Sequence, residues 1–478
     1  MDYKIVFNVI GKLLILLAAS MLLPIIVAIY YKEPESINIF AAASIITAIS
    51  GVILSLTLKS RGEFRRRESF AIVAVGWFVV TVFAAMPYLL YGLHPVDALF
   101  ESMAGLTTTG STILTDIEGH TRSFLFWRSL TQWLGGMGII VLVLAIAPGL
   151  GVAGRQLFKA EMPGPESDKL TPHLKATAKI LWSVYLVFSI AEMILLYLAG
   201  LNVYDAVTTT FSTMATGGFL PHEESIMAFH NPYVEVIIIL FMFIAGASFA
   251  LHYKTFFVNK KSLVNDREFQ VYTLILVTAT LLVAMQLKAS GLDIVESIRL
   301  STFQVVSIMT STGFATADFN QWGDFSRTVL FFLMFIGGCA GSTGGAMKVV
   351  RISLIVKYGY RELFKALHPH VVKPVRFAGK AIPSEIMQSV VGFISLYIFA
   401  FVISTLLLSG LGLDFMSSLS ASATTLGNIG PGLNLVGPMS SYAAIPAFGK
   451  IVLILNMWIG RLEVITVLIL FIPEFWKR

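Results

Sequence analysis

Four short polar stretches, each centred on glycine beside threonine, serine or asparagine, interrupt an otherwise apolar chain. They occupy residues 107–111, 214–219, 310–314 and 427–431. A dehydrated cation needs several oxygen ligands in place of its hydration shell, and rings of backbone carbonyl groups supply them. Glycine lets the backbone turn successive carbonyl oxygens toward one point, through angles that a side chain penalises. The four stretches therefore predict one cation filter, with each stretch contributing a quarter of it.

A single stretch of this kind would be read as a surface turn, because glycine beside small polar residues is common turn chemistry. Four copies at intervals of roughly 100 residues, between long apolar segments, favour the filter. Three residues of each copy are the predicted ligands. They are Thr108, Thr109, Gly110, Ala215, Thr216, Gly217, Ser311, Thr312, Gly313, Asn428, Ile429 and Gly430.

The composition indicates a protein that crosses a membrane many times. Of its 478 residues, 56% are hydrophobic and 13% are charged, whereas soluble domains carry about a quarter charged residues. The first apolar run, at 5–30, is too long for a cleaved signal peptide and is predicted to be a retained span. The single cysteine, Cys339, excludes an intrachain disulfide. Ten apolar runs of spanning length lie near 5–30, 38–58, 70–92, 124–147, 178–200, 233–257, 270–290, 326–357, 386–410 and 445–472.

Four shorter segments lie between some of these runs, near 96–108, 204–215, 297–310 and 414–426. Twelve helical residues cover about 18 Å, and a hydrocarbon core is about 30 Å thick. The segments are therefore predicted to be re-entrant half-helices, which survive at membrane depth when they are buried in protein or line an aqueous path. The predicted fold class is an all-α membrane protein with ten transmembrane helices and four re-entrant pore half-helices.

Most of the 34 lysine and arginine side chains lie in loops that ten spans place on one side, together with both termini. By the positive-inside rule this side is the cytoplasm. This placement explains the net charge of +6, so the charge does not indicate a nucleic-acid partner. Acidic residues in the opposite loops would concentrate cations at an external vestibule. They are Asp116, Glu118, Glu223, Glu224, Asp318 and Asp324.

After the first two spans the chain repeats one unit four times. Each unit has a span, a Gly-Leu pair, an acid, a half-helix, a polar stretch and a second span. Each acid is predicted to cap its half-helix, whose negative C-terminal end then faces the filter. The glycines are Gly92, Gly200, Gly291 and Gly412, and the acids are Asp97, Asp205, Glu296 and Asp414. The predicted divisions are a two-span unit at 1–65 and pore repeats at 66–175, 176–268, 269–382 and 383–478.

A glycine-rich segment interrupts the run near 326–357, which as one helix would measure about 48 Å and exceed the membrane thickness. Five glycines in ten residues break a helix. The segment allows two interpretations: close helix packing through small residues, or a flexible intramembrane loop that obstructs the pore. The second is favoured, and the predicted gate loop comprises Gly337, Gly338, Cys339, Ala340, Gly341, Ser342, Thr343, Gly344, Gly345 and Ala346.

Arg461 lies about 16 Å along the last apolar run, near the centre of the bilayer. A charge there is costly and usually faces a partner or an aqueous path. Residues two apart on a helix do not face one another, so Glu463 is a poor partner. Arg461 is therefore predicted to lie beneath the filter, as an electrostatic barrier that also holds the gate loop. Lys348 and Arg351 are predicted to be solvated charges at the cytoplasmic mouth.

No enzyme motif withstands inspection of its context. Residues 149–154 match the GxGxxG fingerprint, but they follow a membrane span rather than a strand, so they are predicted to end a helix. The gate glycines lack the ending of a phosphate-binding loop, and His222 has no second histidine at the metalloprotease spacing. The sequence therefore predicts a transporter and not an enzyme.

Together, the four polar stretches, the glycine-rich segment and Arg461 resemble the membrane subunit of Trk-type bacterial potassium uptake systems. This family belongs to the superfamily of the Ktr and plant HKT transporters, and the resemblance covers essentially the whole chain. It implies a potassium filter, because sodium-preferring relatives carry serine in the first stretch, where this chain has Gly110. It also implies an intramembrane gate in the third repeat and an arginine in the place of Arg461.

The resemblance further implies a homodimer in the bacterial cytoplasmic (inner) membrane, each protomer with its own pore. It implies a separate cytosolic regulator of Trk-A type, a ring that binds nucleotide, and no cofactor in this chain. The loops at 154–179 and 357–382 are candidate docking surfaces. Two alternatives stay open. One is a sodium-permeable or ion-coupled member of the same superfamily, and the other is an unrelated alternating-access transporter, whose typical inverted repeats differ from the same-direction units here.

Overall fold

The structure is a computed structural model that describes residues 1–57, 66–146 and 174–477. Nearly all regular structure in these ranges is helical. The long helices and their continuations are Tyr3–Ser20, Leu22–Tyr31, Pro34–Thr57, Arg66–Ala84, Met86–Leu90, Arg122–Ile146, Leu174–Leu198, Pro232–Ala245, Phe249–Phe257, Arg267–Ala289, Asp324–Ile336, Val349–Leu367, Ser384–Gly410, Ala447–Arg461 and Val464–Leu468. The fingerprint match at 149–154 and most of the candidate docking loop at 154–179 lie outside the described residues.

Four shorter helices, here called the pore helices, follow the Gly-Leu pairs. They are Pro95–Leu106, Val203–Met214, Ile294–Met309 and Phe415–Gly427. The remaining short helical turns are Ser225–Phe229, Ser262–Asn265, Phe319–Gln321, Asn434–Val436, Tyr442–Ala444, Ile469–Phe471 and Pro473–Trp476. One hairpin pairs Arg376–Phe377 with Lys380–Ala381.

Six helices of the described ranges are long and apolar enough to cross a membrane, and two bent pairs raise the number to eight. The other two predicted spans correspond to Arg122–Ile146 and to the interrupted pair Asp324–Ile336 and Val349–Leu367. Apolar side chains face outward, as Leu198 does at 73% exposure, while the C-terminal halves of the pore helices are almost entirely buried. This arrangement suits a hydrocarbon environment. The predicted all-α membrane fold with re-entrant pore helices is confirmed.

All four Gly-Leu pairs end an outer helix in the same way. The N–H of each leucine donates to the carbonyl five residues back, at 3.1 to 3.4 Å. This is the Schellman turn, which places a left-handed residue at the helix end and so favours glycine. The turn directs the chain back into the protein as a pore helix. The left-handed φ angles are 94° at Gly92, 105° at Gly200, 103° at Gly291 and 95° at Gly412.

The pore helices begin with caps that differ in part from the predicted ones. Side-chain caps come from Asn202, Asp293 and Asp414, which accept backbone N–H groups at 2.9 to 3.0 Å. Of the four predicted acids, only Asp414 is therefore a cap. The other three lie in the first helical turn, where a negative charge still complements the helix dipole. They are Asp97, Asp205 and Glu296.

In three repeats the second helix is broken inside the protein. The second repeat bends by 96° between its two helices, and the fourth repeat bends by 118° after Arg461. In the third repeat, residues 337–348 separate the two helices. The first repeat keeps the continuous helix Arg122–Ile146. The sequence predicts the third break but not the second or the fourth, which lack a run of glycines.

Candidate functional site

The four polar stretches share one backbone conformation. In each stretch, two residues separated by one position have left-handed φ angles between 52° and 100°. The first of each pair carries a side chain, for which this conformation is costly. Such strain persists only where the surrounding structure imposes it. The pairs are Thr108 and Gly110, Thr216 and Gly218, Ser311 and Gly313, and Asn428 and Gly430.

The stretches also meet in a closed ring. A Cβ atom added to any of the four left-handed glycines would overlap a carbonyl oxygen of the next stretch. That oxygen always belongs to the residue immediately before the next glycine. The four glycines therefore allow an approach that no other residue permits. The overlaps run from Gly110 to Gly217, from Gly218 to Thr312, from Gly313 to Ile429, and from Gly430 back to Thr109.

In the second stretch the ring uses a glycine one position later than the predicted one. Gly218 has the left-handed φ and overlaps the third stretch, whereas Gly217 occupies the position of Thr109 and supplies the carbonyl oxygen. The structural equivalent of residues 108–110 is therefore 216–218. Ala215 lies one position earlier, at the C-terminal cap of its pore helix. Two adjacent glycines satisfy the same sequence pattern, so spacing alone does not tell which one enters the ring.

The backbone N–H groups of the stretches turn away from the ring. The residue before each ring glycine donates its N–H to a carbonyl five positions earlier, at the end of its own pore helix. These bonds measure 2.8 Å for Thr109 and Gly217 and 2.9 Å for Thr312 and Ile429. The carbonyl oxygens of these residues, and not their N–H groups, therefore face the ring. The C-terminal ends of the four pore helices add partial negative charge there.

A cavity of about 240 Å³ opens on one side of the ring, and all four ring glycines line it. Its wall also includes the side chains of Arg128, His222 and Glu223. We call this cavity the vestibule. Because the four glycines share one cavity, the four stretches converge on a single axis, as the sequence predicts.

The predicted gate loop, at 337–346, lies on the other side of the ring and contacts three of the four stretches or their pore helices. Its Gly345 N–H donates to the hydroxyl of Ser311 at 2.6 Å. The N–H of Ala346 donates to the carbonyl of Gly427 at 3.1 Å. The hydroxyl of Thr343 donates to the carbonyl of Met214 at 3.1 Å. The loop therefore spans the axis directly beneath the ring.

Arg461 lies beside this loop and is 7% exposed. Its guanidinium donates to the carbonyl of Thr343 in the gate loop at 2.7 Å and to the carbonyl of Gly135 in the first repeat at 3.3 Å. These contacts connect the gate loop to the continuous helix of the first repeat. Glu463 pairs with Arg351 at 2.6 Å rather than with Arg461, as the spacing on a helix predicts.

Lys348 and Arg351 are not the solvated charges that the sequence suggests. The ammonium group of Lys348 turns back to bond the carbonyl of Gly344, and it lies 3.4 Å from the hydroxyl of Ser342. Arg351 is 3% exposed and stacks 4.1 Å from the ring of Phe393. The prediction is wrong because both residues are drawn into the break in the helix. There Lys348 donates to the carbonyl of Gly344, and Arg351 donates to the carboxylate of Glu463.

Comparisons with known proteins agree with this geometry. The family model described as "TrkH: Cation transport protein" matches residues 35–478. This chain belongs to the TrkH family. It is 38% identical over 490 residues to "Trk system potassium uptake protein TrkH" of Escherichia coli (strain K12), with 100% of both chains covered. It is 34% identical to "Trk system potassium uptake protein TrkG" of the same organism, with 99% of both covered.

A solved structure of the TrkH family has the same fold. It is described as "Crystal Structure of the Potassium Transporter TrkH from Vibrio parahaemolyticus". The TM-score is 0.91 at 36% identity, and the match covers 100% of both chains. The similarity therefore extends over the whole chain, including all four polar stretches, the gate loop and Arg461.

The sequence prediction also omits three charged residues around this TrkH-family site. Arg128 and Glu101 form a fully buried ion pair at 2.8 Å, and Glu101 also accepts the N–H of Ile113 just after the first stretch. Glu268 accepts the N–H of Ala340 at 2.7 Å and so bonds the gate loop. Charges inside predicted spans are a signal for functional sites. That signal finds Arg128, and the same reasoning extends to Glu101 in a predicted half-helix, whereas Glu268 stands at the end of its helix and resembles a loop charge.

His222, a histidine of the vestibule wall, lies beside two acidic side chains. Its ring nitrogens lie 3.2 Å from Asp205 and 3.4 Å from Glu118. The hydrogen bond with Asp205 raises the pKa of His222 more than its partial burial lowers it. The imidazolium form therefore persists to a higher pH than in a free histidine.

Proposed function

We propose that this chain carries potassium ions into the cell through the ring of four polar stretches. The observation that carries this proposal is the closed ring of contacts between each ring glycine and the carbonyl of the next stretch. Rings of backbone carbonyl oxygens replace the hydration shell of a cation. The relatives are named as potassium uptake proteins. The ring also has glycine at position 110, the place of serine in sodium-preferring relatives.

The test is ion flux into vesicles that contain the purified protein. We expect wild-type protein to admit potassium and rubidium at least tenfold faster than sodium. Gly110→Ser places a side chain against the carbonyl of Gly217, so we expect its preference for potassium to fall about tenfold. Gly92→Ser is the matched control, because Gly92 also has a left-handed φ but has no atom within 4 Å of an added Cβ. Sodium influx as fast as potassium influx in wild type would contradict the proposal and support the sodium-permeable alternative.

We propose that the gate loop and Arg461 close this pore beneath the ring. The loop bonds the second, third and fourth repeats, and Arg461 connects it to the first. A positive charge next to the axis repels a cation that has left the ring. The loop must therefore leave the axis for ions to pass.

The positive charges near the gate loop bear on which side of the membrane the loop faces. We propose that the gate faces the cytoplasm, that both termini are cytoplasmic, and that the membrane is the bacterial inner membrane. Residues 357–382 comprise the end of the helix Val349–Leu367 and the segment after it, are mostly exposed and carry several basic side chains. In a Cys339→Ser background, the Lys380→Cys variant should react with a membrane-impermeant maleimide only after the cells are opened. Reaction in intact cells would overturn this orientation.

We further propose that a cytosolic ring of Trk-A type, which binds nucleotide, docks on this basic face and that the chain is a homodimer. The chain itself would hold no cofactor. Co-purification of the regulator with wild-type protein should be lost in a variant with Arg361, Lys365 and Lys373 changed to glutamate. Retention by that variant would exclude this face. Mass measurement of the detergent-solubilised protein tests the dimer, and a monomer would contradict it.

A further inference from the structure

One buried side chain outside the predicted set contacts the ring directly. Gln132 lies in the continuous helix Arg122–Ile146 and is 0% exposed. Its Nε2 donates to the carbonyl oxygen of Gly217 at 2.7 Å, and its Oε1 accepts the N–H of Phe219 at 3.0 Å. The amide of Gln132 therefore bonds the peptide groups on both sides of Gly218, the ring glycine of the second stretch.

Gly217 and Gly218 are glycines for different reasons. Gly218 has a left-handed φ of 82° and faces the third stretch. Gly217 has no left-handed φ, so its backbone conformation does not require glycine. A Cβ added to Gly217 would lie 2.5 Å from Cδ and 2.6 Å from Oε1 of Gln132. Its missing side chain therefore makes room for Gln132.

The first and third stretches are braced from within. Thr107 and Thr109 share a hydrogen bond between their hydroxyl groups at 2.7 Å, and Thr310 and Thr312 share one at 2.8 Å. The equivalent residues of the second stretch are Ala215 and Gly217, which have no hydroxyl groups. This stretch therefore lacks the internal brace, and Gln132 supplies one from the neighbouring repeat.

We infer that Gln132 is a positioning residue that sets the ion selectivity of the ring through Gly217. This inference rests on the proposed function. A carbonyl oxygen has two lone pairs. Gln132 occupies one of them and orients the group, while the other stays available to an ion. Without the amide, the carbonyl of Gly217 rotates more freely. The ring then adapts to sodium as well as to potassium, because selectivity depends on the number and placement of the carbonyl dipoles.

The first experiment compares two variants in vesicles containing the purified full-length protein. Gln132→Leu removes both hydrogen bonds. Gln132→Glu keeps the size and the acceptor for Phe219 but removes the donor to Gly217. A hydrogen bond contributes about 1 kcal/mol, so we expect the ratio of rubidium to sodium influx to fall about fivefold in both variants. If the Leu variant does not assemble, the nearly isosteric Glu variant alone decides the outcome.

Gln304→Leu is the matched control for these variants. Gln304 is also a fully buried glutamine, but it accepts the N–H of Thr316, beyond the third stretch. We expect its influx ratio to stay within about twofold of wild type, since it bonds no ring carbonyl. A general loss of packing around the pore would change the ratio in the control as well.

The second experiment tests the contact between Gln132 and Gly217 by compensation between their side chains, while the influx ratio of the first experiment tests the effect on selectivity. Gly217→Ala should abolish most influx, because the new methyl group collides with Gln132. The three atoms nearest that added Cβ all belong to Gln132, so Gln132→Ala should restore influx in the double variant. Gln132→Ala should not rescue Gly218→Ala, whose added Cβ overlaps the carbonyl of Thr312 instead.

The outcomes separate this inference from the proposed function. If wild-type protein does not prefer potassium to sodium, the proposed function fails. If wild type prefers potassium and the two Gln132 variants keep the wild-type ratio, the proposed function stands and this inference is overturned. Equal loss of the ratio in Gln304→Leu, or rescue of Gly218→Ala by Gln132→Ala, would also overturn it.

Discussion

The ring of four polar stretches repeats one conformation four times, whereas the layer directly beneath it differs in every repeat. In that layer the first repeat has a continuous helix, and the second and fourth bend by 96° and 118°. The third contains the loop at 337–348. A spherical ion is held best by equal ligands from all sides, so the ring gains from symmetry. The proposed barrier needs only one obstructing element, so the layer beneath the ring does not need the same symmetry.

The breaks in the lower layer depend on one another. A broken helix leaves carbonyl and N–H groups without intrahelical partners. In the broken helix of the second repeat, the carbonyl of Gly246 ends the first half and accepts the N–H of Cys339 at 2.8 Å. In return, the N–H of Phe249, at the start of the second half of that helix, donates to the carbonyl of Gly341 at 3.1 Å. The gate loop therefore satisfies the groups that the break exposes, and moving the loop must release them.

The largest effect is expected from breaking the symmetry of the ring. Gly313→Ala strains a left-handed backbone and places a methyl group onto the carbonyl of Ile429. We expect potassium influx to fall by about a hundredfold or more. Influx into vesicles measures this, with Gly359→Ala as the control, because no atom lies within 4 Å of a Cβ added to Gly359. Normal influx in Gly313→Ala would show that the ring does not need its close contacts.

The next effect concerns the contact that joins the gate loop to the first repeat. Arg461→Ala removes the positive charge and the hydrogen bonds to Thr343 and Gly135. We expect basal potassium flux without any regulator to rise about tenfold, since one lost charge–carbonyl contact corresponds to about 1.5 kcal/mol or more. Arg299→Ala, at a half-exposed arginine near the pore-helix start, serves as the control. Unchanged basal flux in Arg461→Ala would remove the proposed barrier.

A smaller effect is expected from the ion pair between the third and fourth repeats. Arg351→Ala and Glu463→Gln each remove the contact at 2.6 Å between the helix after the gate loop and the bend after Arg461. Each variant should raise basal flux about threefold. The double variant should raise it no further, because the pair acts as one unit. Arg361→Ala breaks an exposed pair with Glu362 and should have no effect. Additive effects of the two changes would contradict a direct coupling.

The smallest effect is expected on the vestibule side. Asp205 raises the pKa of His222, so the imidazolium forms as the pH falls through that raised value. The added positive charge lowers the local concentration of cations. We expect rubidium influx at low external potassium to fall about twofold on acidification, and less at high salt. His222→Gln should flatten this profile, whereas His230→Gln, which lies outside the vestibule wall, should not. A pH profile in His222→Gln identical to that of wild type would show that the charge of His222 does not affect cation entry.

The ring could be predicted from the sequence more completely than the gate could. Glycine in a short polar stretch at four places needs no knowledge of packing, and spacing identified three of the four ring glycines. Spacing selected Gly217 in place of Gly218. Gly217 is a glycine because Gln132, 85 residues earlier, occupies the space that a side chain would need, and no local pattern shows this contact. The sequence wrongly predicted Lys348 and Arg351 to be solvated for a related reason. Their partners Gly344 and Glu463 become neighbours only after two helices break.

The sequence by itself determined the membrane architecture, the fourfold repeat and the residue types of the ring. These follow from apolar length, from glycine at helix ends and from local backbone freedom, which are properties of short segments. Only the tertiary structure decided which glycine of the second stretch enters the ring, which helices break, and what holds the gate loop. Those depend on contacts between residues far apart in the chain, where the free-energy cost of an unpaired buried carbonyl or charge selects the partner.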